Sequence, residues 1–123
     1  MIGPIELRIP PDPKLSRVLR LAASALASMG GFDVELIDDV KLAVSEVVLA
    51  LIECGSGNDV SVALSMDGVA FRVHGSTMTD TFVPTHPDLS LCRSVLAGLT
   101  VSHEIVYADG AAQIRAELRD LEA

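Results

Sequence analysis

The segment DVSVALSMDGVAFRVHG, residues 59–75, holds the clearest local pattern in the chain. Two runs, Val60 to Ser65 and Val69 to His74, alternate apolar and polar residues. Between them lies Asp67-Gly68, a pair suited to the positive φ of a tight turn. The segment therefore predicts a β-hairpin. A second Asp-Gly pair, Asp109-Gly110, sits inside TVSHEIVYADGAAQIRAEL, residues 100–118, and predicts another.

Working outward, IELRIP at residues 5–10 alternates Ile5, Leu7 and Ile9 inward with Glu6 and Arg8 outward. Pro10, Pro11 and Pro13 then end it, so a short strand at a sheet edge is expected. Leu15, Val18, Leu19, Ala22, Leu26 and Met29 follow a helical stripe that Gly30 and Gly31 stop, with Lys14, Arg17, Arg20 and Ser24 on the polar side. Asp33 is placed to cap a second helix from about Val34 to Cys54. Glu35, Asp38 and Asp39 are expected in its first turn, where the helix dipole favours carboxylates. This helix is apolar nearly all round: Leu42, Leu49 and Ile52 lie opposite Leu36, Val40, Val47 and Leu51, so burial on two sides is expected. Gly75 to Pro87 has little periodicity and reads as a long surface loop, a length that usually marks function or mobility. Leu89, Cys92, Val95, Leu96 and Leu99 predict a short third helix.

The order is β, α, α, β, β, α, β, β, without a βαβ run. It predicts an α+β two-layer sandwich, with a mostly antiparallel five-stranded sheet and three helices on one face. At 123 residues, half of them hydrophobic, the chain has material for one core, and residues 1–123 read as one domain.

The formal net charge of −8 repels phosphate backbones and anionic lipid, which argues against nucleic acid and membrane surfaces as partners. Cys54 and Cys92 are the only cysteines and lie in apolar helical patterns, the setting of small buried hydrophobes. His74, His86 and His103 show no metal-binding spacing, and Ser45 and Ser102 lack a nucleophile frame. No basic segment leading into an apolar run opens the chain, and VVLALI at residues 47–52 is too short to span a bilayer. The expected location is the cytoplasm.

The element order, together with DDVKLAVSEVVLALIECG at residues 38–55 and HPDLSLCRSVLAGLTV at residues 86–101, resembles the small GHKL (Bergerat-fold) ATPases. Within them it is most similar to the bacterial anti-sigma factor serine kinases. The likeness runs from about Glu6 to Leu118 and is strongest in DVKLAVSEVV, residues 39–48.

That resemblance implies ATP and magnesium chemistry, and the residues at the implied positions can be read one by one. Glu46 matches the glutamate that acts as base toward the protein serine being phosphorylated. Ala50 stands where an asparagine should hold the metal, and alanine offers no hard oxygen ligand. Gly75 stands where a carboxylate should read adenine. His86 and Asp88 fall in the glycine box that should approach the phosphates, where an aspartate adds repulsion. All three nucleotide-handling boxes depart from the pattern while the frame persists.

The resulting expectation is an anti-sigma-factor-like regulator that sequesters a sigma factor in a partner-switching system with an anti-anti-sigma (STAS-type) protein, without a cofactor. Lys14, Arg17 and Arg20 match the helix-one region that the family uses toward partners. The enzyme alternative is an atypical protein serine kinase using ATP and magnesium, with Glu53 or Asp80 replacing the missing ligand. A third reading is a non-catalytic dimerisation or interaction module. For helix two, an emptied nucleotide pocket filled by leucine and a subunit or partner interface both account for its second apolar face.

Overall fold

A computed structural model describes residues 1–122 of the chain. The elements follow in the order β1 (Ile2–Ile9), α1 (Ser16–Met29), α2 (Val34–Cys54), β2 (Val60–Asp67), β3 (Ala70–Met78), α3 (Ser90–Leu99), β4 (Ser102–Ala108) and β5 (Ala111–Arg119). Single 3-10 turns, Pro13–Leu15 and Pro87–Leu89, lead into α1 and α3. The strands form one open sheet in the order β1-β2-β3-β5-β4, and every pairing is antiparallel. The helices cover one face, so the fold is the α+β two-layer sandwich that the sequence pattern predicts.

The period-two pattern makes that face apolar. Val60, Val62, Leu64 and Met66 of β2 are buried, as are Phe71 and Val73 of β3 and Ala112, Ile114, Ala116 and Leu118 of β5. Register aligns them in rows across the sheet. One row runs Leu7, Val62, Gly75, Ile114, Ile105, with glycine at its middle. The opposite face is polar. There Arg72 reaches Asp67 at 3.1 Å and Glu117 at 2.7 Å, and Arg119 reaches the other oxygen of Glu117 at 2.7 Å.

Helix α2 lies at the centre of the helical layer and contacts α1, α3 and the three middle strands. Its start is set by Asp33, whose Oδ1 accepts from the Leu36 N–H at 2.9 Å, a cap typically worth about 1 kcal/mol. Val40, Ala43, Val44, Val47, Val48 and Leu51 go into the core. The expected burial on two sides holds in part: Leu49 and Ile52 are half-buried, while Leu42 is exposed.

Several local expectations are corrected. The first hairpin closes through Asp67↔Ala70, so its two turn residues are Gly68 and Val69, with positive φ at Gly68 alone. The second turn is the expected one, with φ of 56° at Asp109 and 75° at Gly110. β3 continues through Gly75 to Met78, because Thr77 is buried and its hydroxyl donates to the Asp59 carbonyl at 2.9 Å. The expected loop from Gly75 to Pro87 therefore shrinks to residues 79–86. Only Glu35 occupies the first turn of α2; Asp38 lies beyond it and faces Lys41 at 3.9 Å.

β1 does lie at an edge, but it begins at Ile2, and Ile5 is exposed although its pairing with Leu64 sets it on the helix side. The cause is location, since α1 seats on β2 and leaves the edge strand less covered. In α1 the buried apolar set is Leu19, Ala23, Leu26 and Ala27, which turns the expected stripe members Val18 and Met29 toward solvent.

Candidate functional site

The glycine in the middle of the sheet row decides how α2 sits. A Cβ placed on Gly75 would lie 2.7 Å from Leu51 Cδ1 and 2.8 Å from Val47 Cγ1, closer than side chains approach. The missing side chain is thus a socket for two fully buried residues of α2. Gly75 is the position where the resemblance implies a carboxylate reading adenine. That position is closed by packing.

Glu46 is half-buried, and its backbone carbonyl faces Cys92 Sγ at 3.7 Å, so α3 lies against α2 at this turn. Burial, and after it the Glu46 carboxylate, pushes the Cys92 thiol up to about 11. Ala50, one turn on, is buried among apolar neighbours. Glu53 and Cys54 line a cleft of about 210 Å³ with Thr81, Phe82, Val83, His86 and Asp88. His86 caps the 3-10 turn there, its Nδ1 accepting from the Asp88 N–H at 3.1 Å. Burial and then the Glu53 and Asp88 carboxylates raise the Cys54 thiol, which keeps it protonated and a poor nucleophile.

The cleft falls below the roughly 300–1,000 Å³ of small-molecule pockets, and the carboxylates of Glu53 and Asp88 oppose a triphosphate. Among the described residues no three His, Cys, Asp or Glu side chains are grouped to hold a metal ion. Of the two alternative substitute ligands, Glu53 borders the cleft and Asp80 does not.

The basic strip on helix one also divides. Lys14 and Arg17 are exposed, but Arg20 is half-buried and its guanidinium donates to Ser45 Oγ of α2 at 3.3 Å. Val18, Leu21, Ala25 and Met29 recur at spacings of three and four along the solvent side of α1, with Leu21 63% and Met29 70% exposed. α1 carries no acidic residue, in a chain with 17. The sequence contained this row, but hydrophobicity alone does not tell an inward leucine from an outward one.

No family model and no curated protein matches the chain. The likeness to the Bergerat-fold ATPases thus stands on the segments quoted from the sequence. Among the described residues, no helix is long and apolar enough to cross a membrane.

Proposed function

We propose that the chain is a cytoplasmic regulatory protein similar to anti-sigma factors. It holds a sigma factor by stoichiometric binding and releases it to a STAS-type antagonist, without ATP turnover. The observation that carries this reading is the outward face of α1. Val18, Leu21, Ala25 and Met29 form an apolar row beside Lys14 and Arg17, a surface suited to an acidic amphipathic helix. Sequestration needs only an interface of ordinary size, on the order of 1,600 Å² in total. The kinase alternative has less support, because Gly75 is closed by α2 and Ala50 offers no oxygen.

Co-purification of the tagged chain from its native cell tests the proposal. A sigma factor is expected in the wild-type eluate and is depleted with Leu21→Glu, whose affinity falls about tenfold or more. Recovery of no sigma factor, or equal recovery with the variant, refutes the reading. Calorimetric titration with ATP and magnesium is expected to give no binding heat. Micromolar affinity would restore the enzyme.

A further inference from the structure

The two edges of the sheet differ. β1 carries Pro4, which has no N–H to offer, an irregular register between Ile2 and Ile5, and the charged Glu6 and Arg8. These are devices that keep an edge from pairing. β4 has neither a proline nor a register shift. Between Arg93 and Asp109, Glu104 is the only charged residue in the sequence. The exposed residues of α3, which packs on α2 and β4, are Ser90, Leu91, Ser94, Ala97 and Gly98, all uncharged. A strand edge of seven residues, about 23 Å long, is thus bordered on its helical side by uncharged residues in a chain of net charge −8.

Hydrogen-bond parity fixes what this edge presents. The Asp109-Gly110 turn is closed by Ala108↔Ala111, a pair that exchanges both bonds, so alternate residues Val106, Glu104 and Ser102 also turn their main-chain groups toward β5. The N–H and C=O groups of His103, Ile105 and Tyr107 therefore point off the sheet.

We propose that this edge pairs with β4 of a second copy, antiparallel, about a two-fold axis at Ile105. In that register Ile105 exchanges both bonds with Ile105 of the second copy, and His103 with Tyr107, so every outward group meets another outward group. The whole strand overlaps itself. Charge selects the same axis: Glu104 falls opposite Val106 of the second copy, whereas an axis at Glu104 would set two carboxylates directly opposed. The result is a continuous ten-stranded sheet, and the interface is isologous, as a closed dimer requires. This surface is separate from the α1 row, so either assignment can fail without the other.

Sedimentation velocity of the purified chain over a wide concentration range tests the proposal. The wild type is expected at twice the 13.0 kDa chain mass. His103→Pro removes an outward donor and leaves the bonds to β5 intact, and it is expected to sediment as a folded monomer by circular dichroism. Val106→Glu, which faces Glu104 of the second copy, raises the dissociation constant about tenfold, while Val106→Lys leaves it unchanged or lowers it. A monomeric wild type, a dimeric His103→Pro variant, or equal effects of the two Val106 variants overturns the proposal.

Discussion

Replacing Gly75 with alanine tests how α2 is seated on the sheet. The added Cβ would meet Leu51 Cδ1 at 2.7 Å and Val47 Cγ1 at 2.8 Å, where ordinary contact begins at 3.4 Å. Each atom must therefore retreat by about 0.6–0.7 Å, and both belong to residues with almost no exposed surface in the middle of the central helix. Overpacking of this kind costs about 1–3 kcal/mol, offset by about 0.4–1 kcal/mol from the smaller entropy of the unfolded alanine chain. Gly75 does not have a positive φ, so no backbone penalty is added. The net loss is about 1–2 kcal/mol, a fall of about 3–10 °C in Tm.

Urea denaturation and a thermal scan measure it. Pairing the change with Val47→Ala, which removes one of the two colliding atoms, supplies an internal control. The alanine at Gly75 is then expected to cost less by about 0.5 kcal/mol or more. A Gly75→Ala protein as stable as the wild type, or one whose loss is the same in both backgrounds, refutes the close seating. It would also reopen the space in which a nucleotide could be read.

Two further outcomes are expected from ionisable groups. Arg72, and then Arg119, hold the Glu117 carboxyl below the ordinary carboxylate range. The unfolded chain therefore binds this proton more readily, so the stabilisation is complete at neutral pH and is lost as pH falls through the depressed folded value. The urea midpoint of Glu117→Gln should lie below that of the wild type at pH 7, and the gap should close in acid; a constant gap contradicts the assignment. Cys92, pushed up to about 11 and buried against α2, should resist iodoacetamide at pH 8 while the half-buried Cys54 reacts faster. Mass spectrometry of the labelled peptides reads the order, and faster labelling of Cys92 would refute its burial.

The order of elements and the Asp33 cap were legible because each rests on local chemistry: period two, period 3.6, and a side-chain oxygen placed for a helix start. The sheet extension through Thr77 was not, since Gly75 and Ser76 interrupt the alternation and the bond that retains Thr77 comes from a distant carbonyl. The rotation of α1 was hidden for a related reason. Its apolar residues surround most of the helix, and only packing against α2 selects the alanines Ala23 and Ala27 for the inside. At the candidate site, sequence showed which groups were missing at Ala50 and Gly75. It did not show that Val47 and Leu51 fill the space above Gly75, a contact made through the tertiary fold.

Tyr107 is the only tyrosine in a chain without tryptophan. It stands on β4 with its hydroxyl donating to the Thr79 carbonyl at 2.8 Å and its ring stacked on Phe82, centroids 6.5 Å apart. Its near-ultraviolet emission consequently comes from one place, the junction of residues 79–86 with the open sheet edge. The protein thus carries its own optical reporter there: movement of that segment, or engagement of β4, changes the environment of a single chromophore without any label.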